Sequence, residues 1–233
     1  MKSLARIATA VIVLALAGAQ SLAACTSILV TKGARKTGAT MVSYSADSEY
    51  LYGELYFKPG AQHLPNQTRD IVDWESGRFL GRIKEAPVTY GRIGNMNECQ
   101  VAIGETTFGG RKELWGPAGS LDYGSLICIA LERSRTAREA IRIMVDLVSE
   151  YGYASTGESF SIGDPNEAWI LDLIGKGKGH KGAVWVAVKL PDGTLSAHAN
   201  HSRISRFSLH DSSSCMYAPD VISFCPEQRM VQG

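Results

Sequence analysis

The sequence has almost no net charge: 24 Lys and Arg stand against 23 Asp and Glu, a formal +1. That removes the basic footprint expected of a nucleic-acid binder or of a protein held electrostatically on an anionic membrane. Proline is scarce, at 8 residues, and no internal repeat or low-complexity segment interrupts the chain, which excludes collagen-like and disordered classes. No two of the five cysteines have the close spacing of a zinc knuckle, and no metal or cofactor is expected. What remains, 45% hydrophobic and 20% charged residues, is ordinary globular composition, in a chain too long to depend on disulfides. At about 150 residues per domain, 233 residues mean one domain or one and a half.

The amino terminus shortens that length. Lys2 and Arg6 precede an apolar and small stretch from Ile7 to Ala19, followed by Gln20, Ser21, Leu22, Ala23, Ala24 and Cys25. This order reads as a secretory signal peptide over residues 1–24, and the apolar run is too short for a stable bilayer anchor. Removing 24 of the 233 residues leaves a nearly neutral mature chain of 209, residues 25–233. The expected location is therefore periplasmic or extracellular, where disulfides persist. With an odd number of cysteines at least one thiol stays unpaired. Cys128, inside the apolar run Leu126 to Leu131, is expected to be buried, and Cys215 and Cys225 are close enough in sequence to close a short loop.

Alternation predicts strands at Thr26 to Thr31 and Thr40 to Ser45, joined as a hairpin by the turn Lys32 to Thr37. A further strand is expected over Gly53 to Phe57, a surface excursion over Gly60 to Ile83, and a strand over Gln100 to Thr107. Thr136 with Glu139 suits a capping box, and Ile141, Met144, Val145 and Val148 follow helical spacing, predicting a helix over 136–151 beside an earlier one over 123–133. Strands resume at Ser159 to Ile162, Ala168 to Leu173, Ala183 to Val188 and Thr194 to Asn200, with a strand-forming stretch at Val221 to Phe224. Strands, a helix pair and more strands imply an α+β fold of sheet layers covered by helices.

Cys25 carries the chemical interest and admits three readings. If cleavage makes it the mature amino terminus, thiol and α-amine share one residue. The amine, with a reference pKa of about 7.7–8.0, can then take the proton of a thiol near 8.5 without a histidine. If Leu22-Ala23-Ala24-Cys25 is a lipobox, the sulfur is acylglycerol-modified and anchors the chain in a membrane. If cleavage falls elsewhere, Cys25 merely begins a strand. Strand-forming residues follow it at once, where a lipoprotein usually leaves a polar tether.

The segment Cys25-Thr26-Ser27-Ile28-Leu29-Val30-Thr31-Lys32-Gly33-Ala34, followed by Tyr44-Ser45-Ala46-Asp47-Ser48, resembles the start of the dipeptidase A family of cysteine peptidases. These are N-terminal-nucleophile hydrolases. Tyr52 to Tyr56, Met96-Asn97-Glu98 with Ala102 to Thr107, Gly157 to Trp169, Gly182 to Ala187 and Ala197 to Ile204 match in the same order, over nearly all of the mature chain. The resemblance implies a four-layer αββα sandwich and hydrolysis of small peptides through an acyl-enzyme on Cys25. It favours the nucleophile over the lipid anchor. Members of the family are longer, so a carboxy-terminally truncated member is expected, with the catalytic domain incomplete.

Asp47 would then accept from the Cys25 amine and orient it, and Asn200 would donate to the tetrahedral oxyanion. Their plain alternatives are a turn start at Asp47 and a strand end at Asn200, which also begins a glycosylation sequon with His201 and Ser202. His198 and His201 point to opposite faces of a strand and make a poor metal pair. Asn97 and Glu105 are expected to be structural. Tyr44 stands where several nucleophile-bearing relatives have arginine, leaving the tuning of Cys25 open. The partners implied are small peptides, without nucleic acid, and a membrane only if Cys25 is lipidated; specificity and oligomeric state are not legible.

Overall fold

The computed structural model describes residues 25–48, 54–116 and 119–224. The signal-peptide reading of residues 1–24 and any role for Cys225 lie outside the described residues. No described helix is long and apolar enough to cross a membrane.

The strands are β1 (Thr26–Val30), β2 (Met41–Ser45), β3 (Phe57–Lys58), β4 (Ala61–Gln62), β5 (Thr68–Val72), β6 (Phe79–Lys84), β7 (Val88–Thr89), β8 (Arg92–Ile93), β9 (Met96–Asn97) and β10 (Ala102–Gly109). After helices α1 (Tyr123–Arg133) and α2 (Ala137–Tyr151) come β11 (Gly157–Gly163), β12 (Ala168–Gly175), β13 (Ala183–Lys189), β14 (Leu195–Ala199) and β15 (Cys215–Tyr217). A small antiparallel sheet has the order β14-β1-β2, and a large one the order β15-β13-β12-β11-β10-β9-β8-β3. The small sheet lies on β10 and β11, and both helices pack on the opposite face of the large sheet. The described residues therefore form three layers, helix, sheet and sheet, an α+β architecture.

Burial follows from this stacking. Every residue of β11 is buried because one face meets the small sheet and the other meets the helices. β1 has one buried face: Ser27 and Leu29 point inward, while Thr26 and Ile28 face out. Between helices and large sheet lies the main core, with Phe160, Ile162, Trp169, Leu126, Ile141 and Met144 all fully enclosed. A smaller cluster of Leu29, Ala168 and Ile170 joins the sheets.

Both helices begin on a side-chain cap. Thr136 Oγ1 accepts from the Glu139 N–H at 3.2 Å, but the Glu139 carboxylate accepts from the Arg135 N–H at 2.8 Å, one residue beyond the N-cap N–H that a full capping box uses. Thr136→Ala is expected to cost about 1 kcal/mol, read as a lowered midpoint in urea unfolding. Asp122 caps α1, accepting from the Ser125 N–H at 3.0 Å, and also takes the Trp74 N–H at 2.8 Å.

Three expectations need correction. Residues 60–83 are not a surface excursion: β5 and β6 form a hairpin that buries Ile71 and Ile83 in the main core and is pinned by Asp122. Its turn residues, Asp73 to Gly77, mask two short strands in the sequence. Val221 to Phe224 is not strand: residues 221–223 are turn and Phe224 is helical, because backbone bonds from Val221 N–H to Ala218 and from Phe224 N–H to Asp220 curl the chain back. Of Gly53 to Phe57, Gly53 lies outside the described residues, Glu54 to Tyr56 are not strand, and Phe57 begins β3.

Candidate active site

The small sheet positions Cys25. β1 is its central strand, and Thr26 pairs with Ser45 on one side and Ala199 on the other. Cys25, one residue earlier, therefore emerges between two strand ends, where β2 runs on to Ala46 and Asp47 and β14 runs on to Asn200. The three residues singled out from sequence come together here because antiparallel register on both sides of β1 aligns their strand ends.

Cys25 is partly buried, and its thiol lies above the ordinary cysteine value, chiefly through burial. The Asp47 backbone N–H donates to the sulfur and draws it down, while the charges of Glu105, Asp47 and Glu158 push it up again. A thiol in that setting is protonated near neutrality and needs a base to attack. Asp47 also accepts from the Ser45 hydroxyl at 3.5 Å.

Asn200 is held from the opposite sheet. Its Nδ2 donates to the Thr107 carbonyl at 2.7 Å, which orients the amide and leaves one Nδ2 hydrogen uncommitted. Just beyond it, Asp172 accepts from the N–H groups of Arg203 and Ile204 at 2.7 and 2.8 Å and from the Ser159 hydroxyl at 2.6 Å, clamping the chain that leaves β14 onto β12. Nothing in the local sequence marks Asp172 for this duty, since its partners lie 13 and more residues away.

Tyr44 occupies the inner side of β2. A side chain at Gly104 would put its Cβ 2.8 Å from Tyr44 Cβ, so a glycine there lets the sheets approach. The Tyr44 hydroxyl donates to Glu105 Oε1 at 2.6 Å, and burial raises it well above the ordinary phenol value. It brings no positive charge to Cys25, unlike an arginine.

The remaining candidates separate. His198 is buried in β14, and burial, helped by Arg203, lowers it to about 4, whereas His201 is exposed. Asn97 spends its side chain on backbone, donating to Leu131 and Ser134 carbonyls and accepting from Cys99 and Val101 N–H groups, which seals the end of α1. Cys128 is pushed up to about 11 by burial. Cys25, Cys99, Cys128 and Cys215 are free thiols.

Two antiparallel sheets stacked face to face beneath a helical layer, with the site assembled from strand ends of the smaller sheet, define an α+β protein of the stacked-sheet class. Comparison with known sequences is more specific: the chain belongs to peptidase family C69, whose family model matches residues 61–233. Cys25 lies upstream of that matched stretch. A probable dipeptidase of Latilactobacillus sakei is 28% identical over 221 residues, 87% of this chain and 45% of the relative. A dipeptidase of Bifidobacterium longum is 27% identical over 227 residues, covering 81% and 39%, and a probable dipeptidase of Salmonella dublin is 23% identical over 230 residues, covering 91% and 51%. The chain thus spans about half the length of the curated relatives it matches. These findings bear out the resemblance to dipeptidase A-type peptidases read from the motif series.

Proposed function

We propose that the mature chain is an exported cysteine-type dipeptidase whose nucleophile is an amino-terminal Cys25. The observation that carries this reading is the meeting of Cys25, Asp47 and Asn200 at the end of one small sheet, in a chain whose relatives are dipeptidases. On removal of residues 1–24 the free Cys25 amine takes the thiol proton as sulfur attacks the scissile carbonyl. The uncommitted Nδ2 hydrogen of Asn200 supports the tetrahedral oxyanion, and Asp47 accepts from the amine and aims it. The amine returns the proton to the leaving amine, and water releases the acyl group. The exposed outer face of the small sheet, with Ile28 37%, Met41 38% and Leu195 62% accessible, suits cover by the fourth layer of an αββα sandwich.

The test is intact-mass analysis of the exported protein together with a dipeptide-library assay. The expected result is a chain beginning with unmodified Cys25 that releases free amino acids from dipeptides. A diacylglyceryl adduct on Cys25, with the protein in the membrane fraction, overturns this reading in favour of the lipoprotein that Leu22 to Cys25 also suits.

A further inference from the structure

Glu105 and Glu158 have no part in that mechanism, yet both bear on Cys25 electrostatically and both are fully buried, at 1% and 0% exposure. Glu158 lies opposite Thr107 and Glu105 opposite Phe160, so the two project from the helix-covered face of the large sheet, diagonally across β10 and β11. Glu105 Oε1 accepts from Tyr44 at 2.6 Å; Glu158 Oε1 accepts from the Thr107 hydroxyl at 3.1 Å and the Ser155 hydroxyl at 3.4 Å. The Oε2 atom of each is buried with no donor from any other described residue, and the diagonal register sets the two carboxyl groups against one another so that each perturbs the other.

Among the described residues no ion pair joins either carboxyl group to a lysine, arginine or histidine. The titratable groups that interact with the pair are Cys25 at the start of β1, Tyr44 on β2, Glu75 in the β5–β6 turn, Tyr123 at the start of α1, and Tyr153 after α2. None is a cation. Burial raises both glutamates above their ordinary value, and Glu105 drives Glu158 higher still. Two carboxylates that interact in a dry site without a counter-ion cannot both stay ionised.

Resting on the nucleophile reading of Cys25, we propose that Glu105 and Glu158 hold one proton between them and present a single negative charge to Cys25, oriented by the Tyr44 hydroxyl. Glu158 keeps the proton and donates it to Glu105, which carries the charge and accepts from Tyr44 as well. The charge disfavours the thiolate at rest and favours the ammonium that forms when the Cys25 amine takes the thiol proton. The pair is a positioning element of the nucleophile, set on the far side of the large sheet from it.

The experiment follows alkylation of Cys25 by iodoacetamide against pH, read by peptide mass spectrometry, in the wild type, E158Q and E105Q/E158Q. In E158Q an amide replaces a neutral acid and still donates to Glu105, so its profile should coincide with the wild type. The double variant loses the charge, and its midpoint should fall by about one pH unit, the order of a unit-charge interaction at an effective dielectric of about 20. An E158Q profile displaced as far as that of the double variant, or an undisplaced double variant, overturns the proposal. If the double variant does not fold, infrared spectroscopy of the folded proteins decides: a protonated-carboxyl band at neutral pH that is lost in E158Q supports the shared proton, and its absence from the wild type overturns it. A Cys25 inert to alkylation at every pH overturns the nucleophile reading instead, and the infrared band still tests the pair.

Discussion

Cys25→Ala is expected to lower dipeptide hydrolysis by at least about a thousandfold, roughly 4 kcal/mol of transition-state stabilisation at 1.36 kcal/mol per tenfold. Loss of an activated nucleophile removes the covalent route itself, and neither Asp47 nor Asn200 supplies a replacement. The fold should be indifferent to the change. Cys25 precedes β1 and is only partly buried, so no closed cavity is created, and the strand pairings of Thr26 with Ser45 and Ala199 do not involve its side chain. The measurement is turnover of a dipeptide panel beside thermal unfolding of both proteins. Equal turnover in wild type and variant would sink the assignment of the nucleophile, and a large loss of stability would show that Cys25 serves packing.

Glu132→Ala should give the largest loss of stability. Its carboxylate, 1% exposed at the end of α1, pairs with Lys58 at 2.8 Å, Arg92 at 3.0 Å and Arg69. Arg69 and Arg133 also pair with Glu85, at 2.8 and 3.0 Å. One buried carboxylate thereby ties α1 to β3, β5 and β8. Removing it leaves Arg92, its side chain only 12% exposed, without its carboxylate, and Arg69, 17% exposed, with Glu85 alone. Breaking such a buried pair costs about 3–5 kcal/mol, which in a chain of this size is a fall in Tm of roughly 6–20 °C by calorimetry.

The same carboxylate makes stability depend on pH. Burial by itself would raise Glu132, but hydrogen bonds and charge from Lys58, Arg69 and Arg92 outweigh it and hold the group below its ordinary value. The unfolded chain then binds the proton more readily than the folded one. The contribution of Glu132 is complete above the ordinary glutamate value of about 4.3 and is lost as pH falls through the lower folded value. Urea midpoints measured from pH 6 downward should therefore drop more steeply for the wild type than for Glu132→Ala. Parallel curves would mean that the cations do not hold this carboxylate in solution.

Much of the fold was legible because its signals are local. Helix α1 was read with its observed limits, and α2 to within its cap, since apolar spacing and Thr136 act within one or two turns. Strands β12 and β13 were legible for the same reason, being nearly continuous apolar runs. The β5–β6 hairpin was not, because what buries Ile71 and Ile83 is distant: Asp122 on Trp74, and Glu132 on Arg69. Asp172 and the Glu105–Glu158 pair escaped in the same way. Both glutamates lie in the motif segments, but their meeting depends on the register of β10 with β11.

The sequence alone determined the class of the protein, the two helices and the strand that Cys25 opens, and it singled out the two residues, Asp47 and Asn200, whose strand ends lie beside it, because each has a signal within a few neighbours or in an ordered series of motifs. The tertiary structure decided what surrounds that cysteine: an uncharged Tyr44, an Asn200 aimed by a carbonyl of the other sheet, and a pair of buried acids. Those relations are set by register and layer stacking across as many as 93 residues of sequence, as between Asn200 and Thr107. No local spacing encodes such pairings, because packing free energy summed over whole sheets selects them.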